Sequence, residues 1–332
     1  MAHATAHGHD LPCPRPAPLL VFVAVLATTY LALTRLPAAA PLAALIAPHP
    51  EPGDRDSCAG FYGGAGALGR AVSASVEDFG AVGDGVTSNT AAFRRAVAAL
   101  EERARAAGGG GGARLEVPPG RWLTGSFNLT SRFTLFLHDG AVILGSQDPQ
   151  EWPLVAPLPS YGRGRERLGP RHISLIHGEG LNDVVITGNN GTIDGQGKMW
   201  WELWWNRTLN HTRGHLIELV NSTNILLSNI TLRNSPFWTD GHRSTAGSAT
   251  CNEGLTILAP LNAQTLTGSR SDSSSEVLFE DCYIEKCVTM LVAVKSGWDQ
   301  FGSEMSGGIY NVLVRDLHVW NSAISGEAQD PM

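Results

Sequence analysis

The stretch from Asp272 to Asp299 contains several carboxylates and Lys295, residue types that acid–base chemistry and anion binding require. Two carboxyl groups can act together as general acid and general base. Glu280 and Asp281, however, lie where a strand runs into a turn, which favours contact with water or with turn amides. Asp272 is placed to hold the turn before the strand through its own side chain. None of these carboxylates is therefore predicted to be catalytic.

The same stretch indicates which elements would position these side chains. It predicts three short strands, Val277–Phe279, Tyr283–Ile284 and Leu291–Val294, separated by turns and without a helix between them. Three such β-runs suit one coil of a parallel β-helix. Similar runs recur near residues 183, 224, 253, 276 and 311. Their spacings of roughly 23 to 41 residues predict coils with loops of variable length.

Composition limits the fold and the partners. At 332 residues, 43% hydrophobic and 17% charged, the chain can bury one sizeable core, which predicts a single domain behind a targeting segment. The 38 glycines fit tight turns between short strands better than a helical bundle. A net charge of −7 gives no general attraction to nucleic acid or anionic membranes. An anionic ligand would therefore need local basic residues in its cleft.

Residues 1–47 have the character of a targeting segment. The apolar run Leu19–Leu33 is short for a membrane-spanning helix and suits a signal-peptide core. Ala38–Ala40 supply small residues that a signal peptidase accepts. A second apolar run, Leu36–Ala47, leaves an uncleaved membrane anchor equally open. Both alternatives predict that the downstream chain leaves the cytosol, either secreted or anchored to a membrane.

Behind this leader, residues 48–75 are rich in Pro, Gly and Ala and are predicted as a linker, and residues 76–332 as the folded domain. No metal-binding spacing such as C-x-x-C occurs among the cysteines. One or two disulfides can form, and their connectivity stays open. The five cysteines are Cys13, Cys58, Cys251, Cys282 and Cys287.

Asn-x-Ser/Thr triplets without proline agree with the secretory route. Six of them in about 100 residues favour a secreted glycoprotein. The predicted glycosylation sites are Asn128, Asn190, Asn206, Asn210, Asn221 and Asn229.

A helix is predicted after the first strand and glycine turn of the domain. Ser88 or Asn89 can cap its first turn, and the alanine-rich run continues to Ala107. The open apolar end of a β-helix needs a cover against solvent and against edge-to-edge pairing. This helix is expected to provide that N-terminal cap. Its apolar face carries Phe93, Val97 and Leu100.

The motifs resemble those of plant polygalacturonases, the pectin-cleaving glycoside hydrolases of family 28. Residues 272–299 contain the family's Asp-Ser-Ser, Glu-Asp-Cys-Tyr-Ile and Val-Ala-Val-Lys-Ser-Gly-Trp-Asp. The resemblance covers about residues 76–322 and implies an all-β fold, a single-stranded right-handed parallel β-helix. Further matched runs are Leu144–Asp148, Pro159–Arg165, Gly195–Gly197 and Asn234–Thr239.

The resemblance implies metal-free, inverting hydrolysis of α-1,4-galacturonan by aspartates in Asn-Thr-Asp and Gly-Asp-Asp motifs. It also implies a Gly-His-Gly histidine and an Arg-Ile-Lys pair that binds the galacturonate carboxylate. In this chain Thr265, Leu266 and Thr267 stand where Asn-Thr-Asp belongs. Lys286–Met290, one residue longer and without a carboxylate, replaces Gly-Asp-Asp. We therefore assign no catalytic residue and predict little or no hydrolase activity.

Other departures from the family are equally local. Asp240–Gly254 replaces an expected strand with a polar run, for which no regular structure is predicted. After Asp299 the chain passes almost directly to Gly302–Gly308, without the coil that carries the family's histidine region. It then ends at Met332 before any Arg-Ile-Lys. Such breaks inside well-matched sequence indicate altered splicing or an imperfect gene model, and predict a β-helix lacking internal and C-terminal coils.

Four tryptophans, Trp200, Trp201, Trp204 and Trp205, suggest stacking on sugar rings. Their i, i+1, i+4, i+5 spacing is equally what an amphipathic covering helix would use. We favour the packing role for them.

Three functional hypotheses remain. The first is a polygalacturonase-type enzyme of cell-wall metabolism, the second a non-catalytic wall protein that binds pectin, and the third a truncated product that folds poorly. Calcium-dependent lyase chemistry is less favoured because no suitable cluster of aspartates is visible. Neither metal nor cofactor is predicted. The expected partner is pectin or an oligogalacturonide, not nucleic acid, and the chain is expected to be a monomer.

Lys295 is the candidate substrate-binding residue, because it lies in the retained Val-Ala-Val-Lys motif and can face the groove. The alternative is a surface salt bridge. We predict that Lys295→Ala weakens oligogalacturonide binding, because an ammonium that meets a galacturonate carboxylate is lost. Isothermal titration calorimetry measures this change, and equal affinities of variant and parent would contradict the assignment.

Overall fold

The computed structural model describes residues 58, 69–108, 110–243, 250–260, 267–272, 274–285, 290–295, 297, 299–304 and 308–320. All of them belong to one compact unit, Asp54–Met332. The predicted leader, residues 1–47, lies outside the described residues. Within the described ranges no helix is long and apolar enough to cross a membrane.

Three parallel sheets form a stack of coils, in which each strand pairs with strands of the preceding and following coils. The first sheet contains β1 (Val72–Ser75), β2 (Ala113–Val117), β5 (Phe133–Leu137), β10 (Asn182–Gly188), β13 (Thr223–Ser228), β16 (Thr250–Glu253), β19 (Ser275–Glu280) and β22 (Tyr310–Arg315). The second contains β3 (Gly120–Thr124), β6 (Ala141–Gly145), β11 (Thr192–Asp194), β14 (Thr231–Arg233), β17 (Thr256–Leu258), β20 (Tyr283–Glu285) and β23 (His318–Trp320). The third contains β4 (Phe127–Asn128), β9 (Ile176–Glu179), β12 (Ile217–Val220), β15 (Asp240–Arg243), β18 (Thr267–Asp272) and β21 (Met290–Lys295). This arrangement is the predicted parallel β-helix.

Outside these sheets, β7 (Leu154–Val155) and β8 (Arg171–His172) form a small antiparallel pair. The α-helices are α1 (Thr90–Ala106), α2 (Lys198–Trp205) and α3 (Asp299–Glu304). Short 3-10 helices lie at Val76–Phe79, Pro149–Glu151 and Pro159–Tyr161.

Helix α1 packs its apolar face against the first coils, as its sequence pattern predicts. Phe93 is fully buried, and its ring stacks on that of Phe127 at a centroid distance of 4.8 Å. Asn89 occupies the N-cap position, but its side chain makes no capping hydrogen bond. Instead, its Oδ1 accepts a hydrogen bond from the Val82 amide at 2.7 Å, so that it ties the helix start to the preceding glycine turn. That α1 caps the end of the stack remains a prediction.

Helix α2 contains the four clustered tryptophans and buries two of them. Trp200 and Trp201 are 1% and 4% exposed, which confirms the packing role for them. Trp205 is 52% exposed, and Trp204 lies between these extremes.

Rows of apolar side chains from successive coils form the core. Because paired strands are in register, equivalent side chains stack directly above one another, about 4.8 Å apart. Most members of these rows are fully buried. One row contains Leu115, Leu135, Ile186, Leu227, Asn252, Phe279 and Val314. Burial of such a continuous stack is what stabilises a solenoid whose single coils have no core of their own.

Sharp turns join the first sheet to the second. Each turn uses one residue with left-handed backbone angles, which Asn, Asp and Gly adopt more readily than other residues. Amides link these turns between coils, for example from Asn190 to the Asn229 carbonyl at 3.0 Å. The residues with these angles are Asn190, Asn229, Gly254, Asp281 and Asp316, at φ of 60°, 53°, 59°, 50° and 53°.

The predicted strands Val277–Phe279, Tyr283–Ile284 and Leu291–Val294 are confirmed, since they lie within β19, β20 and β21. Two other expectations change. The run Asp240–Gly254 was expected to lack regular structure, and that is wrong, since β15 and β16 form inside it by pairing with β12 and β13. Strand β1 lies inside residues 48–75, so regular structure begins before the predicted domain boundary at 76.

A disulfide settles part of the open cysteine connectivity, by joining Cys58 to Cys251 on the outer side of the first sheet. Leu226 and Leu278, the register partners of Cys251, pack around it. Cys282 is buried, with its sulfur 3.3 Å from the Glu280 carbonyl oxygen. Cys13 and Cys287 lie outside the described residues.

Strand β16 places two polar side chains in the apolar core. Asn252 is 0% exposed between Leu227 and Phe279, and neither its Oδ1 nor its Nδ2 has a hydrogen-bond partner within the described part of the chain. The same holds for the hydroxyl of Thr250. Burial without a partner costs about 1–3 kcal/mol for such a group. The coil therefore forms in spite of these two side chains.

We predict that Asn252→Leu raises the free energy of unfolding by about 1–3 kcal/mol, because it removes this desolvation cost and restores the apolar row. Thr250→Val should act in the same direction with a smaller effect. Urea denaturation measures both. The matched control is Asn128→Leu at an exposed strand position, where little change is expected. A destabilised Asn252→Leu protein would show that the amide has a partner after all.

Candidate functional site

The outer face of the third sheet carries polar residues that are nonetheless buried. In β9 and β12, Ile176 and Ile217 point into the core, so that His177 and Glu218 between the core positions point outward. His177 is 8% and Glu218 2% exposed. Because outward-facing residues of a coil normally meet solvent, another segment must cover this end of the sheet.

The covering segment is residues 157–169, here named the covering loop. Its Leu158 and Tyr161 form an apolar cluster with Val220 of β12 and with Phe237 and Trp238, which precede β15. An ion pair fixes the loop further, because the Arg213 guanidinium is fully buried and binds the Glu166 carboxylate at 2.5 Å. The same guanidinium lies 4.6 Å from the centre of the Phe237 ring. The loop is thus held on the sheet by charge and by apolar contact.

Beneath the covering loop, Glu218 is surrounded by cationic or ionisable groups. Arg171 Nη2 lies 2.8 Å from Oε2, His177 Nδ1 lies 3.4 Å from the same oxygen, and His215 Nδ1 lies 2.8 Å from Oε1. Burial raises the pKa of this carboxyl, but the charge of Arg171 and the nearby rings of His215 and His177 outweigh that effect. The pKa of Glu218 therefore lies well below its ordinary value of 4.5. Near neutral pH the Glu218 carboxylate is therefore the anion that compensates the buried charge of Arg171.

A pocket opens between the covering loop and the coil, with about 270 Å³ of empty space including its mouth. Cationic and aromatic side chains dominate its wall, and none of the described residues in the wall is a carboxylate. The lining residues are Pro157, Leu158, Tyr161, Gly164, Arg165, Gly169, Arg171, Thr212, His215, Phe237 and Trp238.

Helix α3 bridges from a later coil back to the covering loop. The Arg163 guanidinium lies 5.4 Å from the centre of the Phe301 ring. Gly302 packs so closely on the 3-10 helix that a Cβ atom at this position would lie 2.3 Å from the Ser160 carbonyl oxygen. The covering loop therefore contacts both the strands beneath it and helix α3, which follows β21.

The structure brings together the two sequence positions that resemblance assigns to lost aspartates. Thr267 begins β18 and Met290 begins β21, and the two are direct register partners on neighbouring strands of the third sheet. Residues 261–266 and 286–289 lie outside the described residues. Lys295 ends β21 opposite Asp272, and its side chain also lies outside the described part. Its role in substrate binding stays a prediction.

The other carboxylates considered in sequence serve turns and ion pairs of the first sheet. Glu280 ends β19 and binds Arg315 at 2.6 Å. Asp281 takes the left-handed turn position next to it. Burial, together with the charges of Glu280 and Asp281, raises the pKa of Glu253 in the adjacent coil. No group of three or more ligating side chains in the described residues could hold a metal ion.

All six asparagines of the predicted glycosylation triplets have exposed side chains. Exposure is compatible with glycans at these positions and does not test for them. Glycosylation at Asn128, Asn190, Asn206, Asn210, Asn221 and Asn229 stays a prediction.

Sequence reasoning missed the buried cluster of Glu218, Arg171, His177 and His215. One signal was available, because Glu218 is a lone charge inside the apolar run Leu216–Val220. A charge in a buried strand needs a partner of opposite sign. Nothing in the sequence identifies Arg171, 47 residues earlier, as that partner.

Two curated proteins are similar to this chain in sequence. A "Probable polygalacturonase" of Vitis vinifera is 47% identical over 284 residues, which cover 76% of this chain and 56% of the grapevine protein. An exo-poly-alpha-D-galacturonosidase of Dickeya chrysanthemi is 36% identical over 87 residues, 26% of this chain and 13% of that protein. The chain thus spans little more than half the length of its grapevine relative.

Solved structures share the fold. An exopolygalacturonase from Thermotoga maritima matches with a TM-score of 0.59 at 23% identity, over 76% of this chain and 63% of that one. A polygalacturonase from Erwinia carotovora matches with a TM-score of 0.54 at 18% identity, over 76% and 62%. The three stacked parallel sheets form a parallel β-helix, the fold that these structures share. Residues 163–321 match the model of glycosyl hydrolases family 28, and the chain contains a domain of that family.

We predict that Glu218→Gln lowers the free energy of unfolding by about 3–5 kcal/mol near neutral pH, because Arg171 is left as a buried cation without its anion. A lowered folded-state pKa stabilises the fold above the unfolded value of 4.5, and this contribution is lost as the pH falls towards the folded value. The difference between variant and parent should therefore shrink below pH 4.5.

Urea denaturation at neutral pH and in acid measures this effect. Glu179→Gln is the matched control, since Glu179 is an exposed glutamate of the same sheet. A pH-independent difference would mean that shape, not charge, makes Glu218 important.

Proposed function

We propose that this chain recognises the acidic cell-wall polysaccharide galacturonan and hydrolyses it little or not at all. The main observation behind the proposal is that Thr267 and Met290 are register partners on β18 and β21, the last two strands of the third sheet. These positions correspond by resemblance to parts of the two aspartate motifs, and neither residue has a carboxyl group. Membership of residues 163–321 in family 28 and the identity to the grapevine relative support galacturonan as the polymer.

Chemistry explains why these two residues matter. Inverting hydrolysis needs one carboxyl group to protonate the leaving oxygen and a second to activate water. A threonine hydroxyl and a methionine thioether cannot exchange protons near neutral pH. Glu218 offers no replacement, because a buried carboxylate clamped between Arg171 and two histidines neither donates a proton nor reaches water. Binding of a polymer requires no proton transfer, so a binding function can persist without these carboxyl groups.

The secretory route is part of the same proposal. The apolar leader and six exposed triplet asparagines support export of the chain to the wall or to the membrane surface. Pectin is the acidic polymer that the chain would meet there.

The experiment is release of reducing sugar from polygalacturonic acid by the purified chain, beside binding of the same polymer in a pull-down. The matched variant restores Asn-Thr-Asp by Thr265→Asn, Leu266→Thr and Thr267→Asp, and replaces Lys286–Met290 with a Gly-Asp-Asp segment. We expect binding without release for the parent. Release by the restored variant would show that the lost carboxylates alone limit hydrolysis.

Two outcomes would overturn the proposal. Release by the parent chain would mean that other carboxylates do the chemistry. Absence of polymer binding by a chain with a folded circular dichroism spectrum would remove galacturonan as the partner.

A further inference from the structure

We propose that the first sugar of an N-linked glycan on Asn206 packs on the exposed ring of Trp205, so that the glycan becomes part of the folded surface. Trp205 is the last residue of α2, and Asn206 follows it directly. The inference rests on the proposed secretory route for the supply of the glycan, and not on galacturonan recognition.

Trp205 leaves a large apolar surface in water. Its exposed fraction is 52%, although Trp200 and Trp201 of the same helix are buried. The ring of Trp204 contacts it in an edge arrangement, with ring centres 5.2 Å apart. A tryptophan can bury about 150–250 Å², so roughly half of that area is still uncovered. An apolar cover over this surface would therefore stabilise the folded chain.

The end of α2 presents the triplet Asn206–Thr208 in one defined turn. Arg207 has a left-handed φ of 60°. Its amide donates to the Trp204 carbonyl at 3.1 Å, and the Thr208 amide donates to the Leu203 carbonyl at 3.0 Å. These are the two hydrogen bonds of a Schellman motif at a helix C-terminus. The backbone on both sides of Asn206 is therefore fixed beside the exposed tryptophan.

The chemistry of an N-linked glycan fits this neighbour. Glycosylation joins C1 of an N-acetylglucosamine to the Asn206 amide nitrogen, breaks the bond from C1 to a lipid pyrophosphate, and releases the pyrophosphate lipid and an amide proton. Both faces of this sugar carry axial carbon–hydrogen groups, which pack well on an aromatic ring. Because consecutive Cα atoms are about 3.8 Å apart, the sugar lies within reach of the preceding side chain.

The position of Asn206 distinguishes it from the other predicted glycosylation sites. Among the six, all within the described residues, Asn206 alone follows an exposed aromatic residue. Asn128 also follows an aromatic residue, but Phe127 is 1% exposed and offers no surface to a glycan. The residues before the other four sites are Asn189, Leu209, Val220 and Ser228.

Trp204 is the less suitable surface for the sugar. It packs partly against the main core. The Arg207 guanidinium, which belongs to the same triplet, lies 5.0 Å from the centre of its ring. Trp204 is therefore engaged by the protein itself, and Trp205 is the ring that the glycan would cover.

The first test measures oxidation of Trp205 by hydroxyl-radical footprinting and mass spectrometry, on the full chain produced in plant cells. Three samples are compared: the chain with high-mannose glycans, the same chain trimmed by an endoglycosidase to the first sugar, and the Asn206→Gln variant. We expect Trp205 to be oxidised about twofold more slowly in the first two samples, because one face of the ring is covered.

Trp320 is the internal control for this measurement. It is 61% exposed, and no predicted glycosylation site adjoins it in sequence. Its rate of oxidation should be equal in all three samples. Equal oxidation of Trp205 in all three samples would overturn the proposal.

The second test is a double-mutant cycle followed by thermal unfolding. Loss of the glycan through Asn206→Gln should lower the midpoint by about 2–4 °C in the parent, as expected for one aromatic contact. In a Trp205→Ala background the same loss should lower it by less than about 1 °C. Trp204→Ala is the matched control, in which the full effect of the glycan should persist. An equal effect of the glycan in the parent and in Trp205→Ala would contradict the inference.

Occupancy separates this inference from the proposed function. Mass spectrometry that finds Asn206 unmodified beside other occupied triplets would refute the contact and leave the secretory route intact. Absence of glycans at all six triplets would refute both. A protected Trp205 in a chain that does not bind polygalacturonic acid would retain this contact and refute galacturonan recognition.

Discussion

The buried ion pair between Glu218 and Arg171 is the interaction on which the site depends. A carboxylate on the outer face of a coil would normally be solvated, but here the covering loop closes over it. Removing a charge from water is expensive unless a partner and further hydrogen bonds replace the solvent. Arg171, His177 and His215 supply that replacement. The loop, the strand pair β7–β8 and the pocket can occupy this face only because the charge beneath them is compensated.

The same constraint explains which parts of the molecule could be predicted from sequence. Strand β2, Ala113–Val117, shows the pattern clearly, because buried apolar residues alternate with the partly exposed Arg114 and Glu116. Most of the third sheet lacks this signal. In β9, Ile176–Glu179, the outward-facing His177 is buried under the covering loop, and the strand reads as an irregular polar segment. Alternation of apolar and polar residues identifies a strand that is buried on one face. It does not identify a strand that is covered on both faces.

The pocket could not be predicted for a related reason. Its wall unites residues from the covering loop, from the segment around Thr212 and His215, and from Phe237 and Trp238, which come from three successive coils. Two of these segments, Pro159–Arg165 and Asn234–Thr239, contain motifs that the sequence analysis had matched to the family. What brings them together is the stacking of coils with loops of unequal length. Local patterns give the repeat but not the path of a long loop across neighbouring coils.

In a parallel β-helix, strand pairing depends on main-chain groups, whereas chemistry depends on side chains. In β15 and β16 the backbone pairs with its neighbours although Asp240–Gly254 was predicted to lack regular structure, because ladder hydrogen bonds join main-chain groups and need no particular side chain. The cost appears instead in the core, where the Asn252 side chain has no hydrogen-bond partner among the residues that the structure describes. Strands β18 and β21 likewise pair through their main-chain groups, with Thr267 and Met290 as register partners. The pairing of coils in this architecture therefore depends on main-chain groups, and a change of side chain on a strand can leave the ladder in place.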